Sequence, residues 1–549
     1  MSCERVSCST MEDGVQNGQA GVENRHANVV RRDIKTVIIG GGIAGLAAGK
    51  FLQSEGLDDY VILEASDRLG GRIWSVQVDN NGHRAEMGAN WIHGVKHNPI
   101  YKIADENNLL TERELHLNSK NIYMTENGET IHEGTVKKVD FAYGTMLTSC
   151  EDYFIEHTPI DVNESLGAEL ERMIKEKLEN TAGEERHMLE LVYHQRRLLE
   201  CCISGCDSLN DVSLSQFGSY KELPGRHLVI PRGFSAILGI VKEGIPEENI
   251  KLNTPVRRIH YEGLLNNSEE ESVCVECENG DIYYPDHVIV TVSLGVLKAT
   301  CDRLFSPSLP QRKLDAIQHL GFGVVNKVIL VFDGPVVEKP THRVHLAWDP
   351  TINTSENLRE RWYRKIYSLE VVHDNVLVGW LSGKEALFLE SLTDEEVMQD
   401  MEKVVQMFIG SLTDHIPNLI RVIRTSWGRN QYTRGSYSFI AVGATQEDIA
   451  NLKYPLSINL RDGTKKPVIL FAGEATHQSF YSTTHGALLT GNREAARICK
   501  IWKPEEAAAG RYSDLGLSDT EDTEEEDSSD DEGPCHTLPS SKDESVNFF

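Results

Sequence analysis

No run of 18 or more apolar residues occurs in this 549-residue chain, which excludes a membrane-spanning helix. Residues 1–32 are polar and of mixed charge. They lack the apolar stretch of a signal peptide and read as a disordered lead-in. Cysteine is sparse, with 11 residues irregularly placed, Cys201 and Cys202 adjacent. Paired C-x-x-C motifs are missing, so reduced thiols are expected rather than a disulfide frame or a metal centre. Basic residues are few, 55 Lys and Arg against 84 Asp and Glu, for a net charge of −29. That balance argues against a nucleic-acid partner and suits attraction of polycations. Thirteen acids and one base lie from Tyr512 to Phe549, a net of −12, which leaves −17 for residues 1–511. The acidic run Asp519–Asp527 cannot bury enough apolar surface to order itself. Residues 512–549 therefore read as a disordered tail, serving as an interaction arm or a target of an acidophilic kinase at Ser518, Thr523, Ser528 or Ser529.

What is present begins with an apolar strand over 34–39, a helix over 43–54 and a second strand over 60–64, a compact β-α-β unit. Helical spacing over 165–202 predicts two long helices. Further strands are expected at 286–292, 324–332, 375–381 and 467–472, and helices at 393–411 and 485–502. Strands that suit the first unit recur in the middle and near the end. This predicts an α/β fold in which one Rossmann-like domain, built from discontinuous segments, is interrupted by a second domain of mixed sheet and helices.

Gly40-Gly41-Gly42-Ile43-Ala44-Gly45 fits G-x-G-x-x-G between the first strand and helix. Gly40 permits the tight turn, Gly42 lets backbone approach a pyrophosphate, and Gly45 lets helix and strand pack closely. Free N–H groups and the helix dipole favour an anion there. Glu64 lies 19 residues past Gly45, at the end of the second strand. A carboxylate at that place accepts hydrogen bonds from ribose hydroxyls and disfavours a 2′-phosphate. Arg68-Leu69-Gly70-Gly71-Arg72 follows, with Arg72 offering a fork of donors for phosphate.

Glu64-Ala65 followed by Gly70-Gly71-Arg72 resembles the flavin amine oxidase superfamily. Four further segments extend the resemblance over about 34–503: Glu86–Gly94, Gly321–Lys327, Tyr432–Ser438, and Phe471–His477 with Tyr481–Ala487. Together they are most similar to the animal polyamine oxidases. The resemblance implies noncovalent FAD, since no cysteine stands in His477–Ser482. It implies a cofactor domain from 33–100, 225–305 and 425–503, and a substrate domain from 101–224 and 306–424. It assigns Gly40, Gly42, Ala44, Gly45, Glu64, Arg72, Asn90, Trp91, Val256, Glu474, Thr483 and Thr484 to the cofactor. Lys327 would hold a water near flavin N5, and Glu474 would bond cofactor hydroxyls. His93, a glutamate in plant-type relatives, would accept a hydrogen bond from the amine or keep it neutral. Tyr437 and Tyr481 would form aromatic walls, with Thr483 near substrate. Glu200 and Ser204 would bind the distal amine. One departure is Val324-Val325, where polar residues are common in animal relatives.

The implied reaction is hydride transfer from a polyamine such as spermine, N1-acetylspermine or N1-acetylspermidine to flavin N5. It gives a shorter polyamine, an aminoaldehyde and, with oxygen, hydrogen peroxide. The end Asn547-Phe548-Phe549 carries no peroxisomal Ser-Lys-Leu-like signal, which favours spermine and a cytoplasmic or also nuclear location. The alternatives are a monoamine or amino-acid oxidase of the same fold, or a flavin-binding scaffold without turnover.

Overall fold

A computed structural model describes residues 31–80, 82–110, 120–261, 273–338, 341–352, 355–459 and 465–512. The expected phosphorylation sites at Ser518, Thr523, Ser528 and Ser529 lie outside these, as does most of the expected lead-in.

Two large sheets organise the described residues. The first runs Phe305–Ser306, Val256–His260, Cys274–Cys277, Ile282–Val290, Arg31–Ile39, Tyr60–Leu63, Ile250–Lys251, and branches from Ile282–Val290 to Lys465–Phe471 and Leu456–Asn459. Its centre is parallel: Arg31–Ile39 pairs with Tyr60–Leu63 on one side and Ile282–Val290 on the other. Parallel strands are covered on both faces and read as continuous apolar runs, as Val37-Ile38-Ile39 and Tyr60–Leu63 do. One face packs on the helices Ile43–Ser54 and Thr484–Trp502 through Leu46, Ala48, Ala495 and Ile498. The other packs on Leu294–Leu304, Gln311–His319 and Gln446–Lys453 through Leu297, Ala316 and Ile449.

The second sheet runs Leu419–Arg424, Val325–Phe332, Val376–Ser382, Ser368–His373, Thr341–Ala347, Lys120–Thr125. It is antiparallel except for the last pair. The helices Glu133–Ile155, Leu166–Leu178 and Gly183–Ser204 form a separate core around Val139, Tyr143, Leu170 and Val192.

Four segments sit differently from their expected places. The helix Pro99–Glu106 buries Ile100 and Ala104 in the core of the first sheet, and Gln311–His319 buries Ala316 and Ile317 there too. Both had been placed mainly with the substrate domain; their apolar faces complete the layers over the parallel strands instead. At the chain's edges, Arg31 and Arg32 already pair with Ile282 and Tyr283. Tyr512, expected to open the acidic tail, is 1% exposed, with its hydroxyl bonded to Glu55 at 2.9 Å.

The eight cysteines among the described residues are free thiols. One C-x-x-C spacing does occur, Cys274 to Cys277, but it lies along a single strand. Side chains three apart on a strand point to opposite faces, so the two sulfurs do not converge. No helix of the described residues is long and apolar enough to cross a membrane.

Candidate active site

A cavity of ≈ 3390 Å³ runs from the glycine loop of the first sheet to the helices beside the second. Its lining includes Gly40, Gly42, Ala44, Glu64, Arg72, Asn90, Trp91, His93, Glu200, Ser204, Val256, Lys327, Tyr437, Glu474, Tyr481, Thr483 and Thr484. Of the residues singled out in the sequence, Gly45 alone is not on that surface, and its role is visible in the packing. A Cβ on Gly45 would lie 1.9 Å from the Gly40 carbonyl oxygen, whereas a Cβ on Gly42 would meet nothing within 4 Å. Gly42 thus faces open cavity and Gly45 faces strand.

The helix behind Gly42 has no side-chain cap and no acid in its first turn. Its leading N–H groups are left to the cavity, an arrangement that attracts an anion. Glu64 is buried at the end of the neighbouring strand. Its Oε2 accepts from the Gly41 N–H at 2.6 Å and its Oε1 from the Ser66 N–H at 2.8 Å. A carboxylate has about four lone-pair sites, so acceptor capacity remains. Val256 opens the strand Val256–His260 on the same side of the cavity. These groups fit a dinucleotide: an uncapped helix start, a backbone bared by glycine, and a buried carboxylate one strand away.

Arg72 and Glu474 act on each other. Arg72 Nη1 donates to Glu474 Oε1 and to the Ser436 carbonyl, both at 2.8 Å. Glu474 Oε2 accepts from Ser438 Oγ at 2.6 Å and from the Ser482 N–H at 2.8 Å. The glutamate expected to bond cofactor hydroxyls therefore ties three chain segments together. It fixes the turn before Thr484–Trp502, whose N-cap Thr483 accepts from the Gly486 N–H at 2.9 Å.

Lys327 stands on the strand Val325–Phe332, opposite Trp380 in the antiparallel ladder. It is 2% exposed. Its Nζ donates to the Glu86 carbonyl at 2.6 Å, the Gly88 carbonyl at 2.8 Å and Asn90 Oδ1 at 3.5 Å. The same Nζ lies 4.0 Å from the Trp380 ring centroid, and Trp380 stacks on Trp91 at 5.1 Å. Burial pulls its pKa down to about 7 against the opposing pull of Glu86 and Glu370. An ammonium poised near neutrality in a cavity is the usual condition of a proton-handling group.

His93 is tilted 70° against His227, ring centroids 5.0 Å apart. Burial, with His227 and His485 nearby, drops its pKa to about 3, so it is a neutral imidazole at ordinary pH. Glu200 and Ser204 are one unit on the last turn of Gly183–Ser204, Oγ to Oε1 at 3.0 Å. Burial raises the Glu200 carboxyl to about 7, the Ser204 bond lowers it, and Glu151 raises it further. The Tyr437 hydroxyl donates to the Cys202 carbonyl. The Tyr481 hydroxyl is 3.3 Å from Ser219 Oγ, and its ring packs edge-on to Tyr220 at 5.7 Å. His227, Trp380 and Tyr220 were not singled out in the sequence, since each comes from a segment with no motif around it. His485 lay inside a quoted motif but was given no role.

A model of the family described as flavin containing amine oxidoreductase matches residues 43–499. The chain belongs to that family. Among curated relatives it is 36% identical over 499 residues to the human (Homo sapiens) peroxisomal N(1)-acetyl-spermine/spermidine oxidase, covering 86% of this chain and 96% of that protein. It is 29% identical over 530 residues to polyamine oxidase 1 of Oryza sativa subsp. japonica, covering 86% and 99%. A solved structure of wild-type putrescine oxidase bound to putrescine shares the fold, with a TM-score of 0.61 at 20% identity, covering 85% and 99%. The fold is that of the flavin amine oxidases, and FAD is the cofactor of this amine oxidase.

Proposed function

We propose that this amine oxidase oxidises polyamines, spermine and its N1-acetyl form among them, to a shorter polyamine, an aminoaldehyde and hydrogen peroxide. The observation that carries the reading is Glu200. A buried carboxyl, bonded to Ser204, lines the same cavity as His93 and Lys327. It suits a substrate with a second cationic end remote from the reacting nitrogen, which a monoamine lacks. The polyamine oxidase names of the relatives agree.

FAD, when bound, accepts the two electrons of the amine oxidation and passes them to oxygen. We assign its phosphates to the start of Ile43–Ser54 with Gly40, Gly42, Ala44 and Arg72. The remainder of FAD we assign to Glu64, Val256, Asn90, Trp91, Glu474, Thr483 and Thr484, with Gly45 as packing support. Noncovalent attachment is our reading, because Cys202 is the one cysteine among the described cavity-lining residues and burial holds its thiol up at about 12.

The residues around the substrate have separate tasks. Neutral His93 accepts a hydrogen bond from the amine and adds no charge that would repel it. The aromatic rings of Tyr437 and Tyr481 desolvate the reacting nitrogen, which lowers an amine's pKa and favours the uncharged form that can be oxidised. Glu200 and Ser204 hold the distal ammonium, whose charge returns the carboxyl to its ionised form. Lys327, protonated or neutral near pH 7, handles a proton on the side of the cavity made by Glu86–Asn90. An amino-acid oxidase would need an unengaged arginine for the substrate carboxylate. Of the several arginines that line the cavity, Arg196 stands on the helix that carries Glu200, and its Nε donates to Asp140 at 2.7 Å. We place the enzyme in the cytoplasm, where its free thiols stay reduced; fractionation tests this.

Glu200→Gln provides the test. Peroxide release with spermine should show KM raised about tenfold or more, the loss of one charge-assisted hydrogen bond worth about 1.5–3 kcal/mol, with kcat changed less. Benzylamine should be inert with either protein. An unchanged KM for spermine would refute the placement of the distal amine.

A further inference from the structure

We propose that Cys201 and Cys206 form a peroxide-sensitive thiol pair, whose oxidation to a disulfide weakens polyamine binding.

The pair is made by the end of a helix. Gly183–Ser204 stops at Gly205, which has φ of 73°, and the Cys206 N–H donates back to the Cys201 carbonyl at 3.0 Å. That six-to-one closure brings the side chains of its first and last residues together. Here both are cysteines. Cys206 Sγ lies 3.9 Å from the Cys201 carbonyl oxygen, so the two cysteines flank one turn. Both are free and buried.

The surroundings favour a thiolate at Cys201. The Cys206 donor lowers its pKa first; burial opposes this, Lys365 lowers it, Glu200 raises it and Arg197 lowers it. Cys206 is shifted the other way, upward. A sulfur shifted downward beside a partner thiol is the arrangement of an attacking and a resolving cysteine; both lie buried behind the cavity wall to which Cys202 contributes. The oxidant is at hand: Glu200, Cys202 and Ser204, on the same turn, line the cavity in which the proposed reaction releases hydrogen peroxide. In that respect the proposal rests on the polyamine oxidase reading.

The chemistry balances without another reactant. The Cys201 thiolate attacks one peroxide oxygen, the O–O bond breaks, and hydroxide leaves to become water. The Cys206 sulfur then attacks the sulfenic sulfur. The S–O bond breaks, and hydroxide leaves with the Cys206 proton as a second water. Two thiols lose two electrons, and one peroxide becomes two waters.

The turn has little room to move. A Cβ on Gly205 would lie 2.6 Å from the Tyr437 ring, and one on Gly323 would lie 1.5 Å from the Gly205 carbonyl oxygen. Tightening the turn by an S–S bond of about 2 Å therefore shifts Tyr437, the lead-in to the Lys327 strand, and the Glu200–Ser204 pair.

The holoenzyme is treated with hydrogen peroxide, alkylated, and mapped by mass spectrometry, with spermine kinetics before and after. The expected result is a Cys201–Cys206 disulfide, a KM for spermine raised about threefold or more with kcat less affected, and recovery with dithiothreitol. Cys206→Ser should keep the untreated kinetics and resist peroxide. An unoxidised pair after treatment, or an equal KM rise in Cys206→Ser, would overturn the proposal. A disulfide formed by added peroxide but not during spermine turnover upholds the pair and counts against the substrate reading instead.

Discussion

Two glycines of one loop should fail in opposite ways. Gly42→Ala adds a methyl to open cavity, with nothing within 4 Å of the new carbon, at a residue whose φ of −74° suits alanine. The folded chain loses only the N-cap advantage of glycine, about 0.5–1 kcal/mol. The methyl does occupy the approach that the cofactor's diphosphate needs, so FAD affinity should fall at least about tenfold, or roughly 1.4 kcal/mol. Gly45→Ala puts its methyl 1.9 Å from the Gly40 carbonyl oxygen. Helix propensity favours alanine by about 1 kcal/mol. Overpacking against backbone costs about 1–3 kcal/mol or more, and since the obstacle cannot rotate away the upper end applies. The net loss is about 2 kcal/mol. Flavin absorbance per chain and the melting temperature of flavin-free protein separate the two effects. Gly42→Ala should melt near wild type and purify pale; Gly45→Ala should melt lower even without flavin. A Gly42→Ala protein that binds FAD as tightly as wild type would refute the placement of the diphosphate.

Lys327 has a pKa of about 7 folded against 10.5 as the ordinary value. The unfolded chain binds the extra proton between those values, so wild-type stability should rise with pH across that window; in melting curves, Lys327→Met should lack this rise. Removing the ring beneath the ammonium, Trp380→Leu, takes away about 2 kcal/mol of desolvated cation–π attraction, and the same profile should place the Lys327 pKa about 1–1.5 units lower. His93, at about 3, stays neutral while the unfolded imidazole protonates near 6.5. Its contribution to stability is therefore lost as pH falls from about 6.5 towards 3, and His93→Gln should flatten acid unfolding over that range. A profile for that variant identical to wild type would contradict the burial of an uncharged ring.

Much of the first sheet was legible because its signals are local. The helix expected over 43–54 is Ile43–Ser54, and the strands expected at 60–64 and 467–472 are Tyr60–Leu63 and Lys465–Phe471. The helix Glu133–Ile155 was not foreseen. Its apolar stripe of Val136, Val139, Tyr143 and Met146 is blurred by Phe141 and Ile155, which are 80% and 59% exposed on the outer face. Domain edges failed where a helix packs on a sheet distant in sequence, as Gln311–His319 does. In the site, motif residues were legible one by one but their mutual bonds were not. Arg72 and Glu474 are 402 positions apart, and sequence offers no local signal that the glutamate holds the arginine. His227 and Trp380 carry no motif and became visible only through their rings against His93 and Lys327.

The most direct test of the central claim is anaerobic mixing of the purified protein with spermine, N1-acetylspermine, spermidine and benzylamine, following the flavin absorbance. Polyamine oxidation requires rapid bleaching by spermine or N1-acetylspermine and none by benzylamine. A flavin that stays yellow with every polyamine would contradict it.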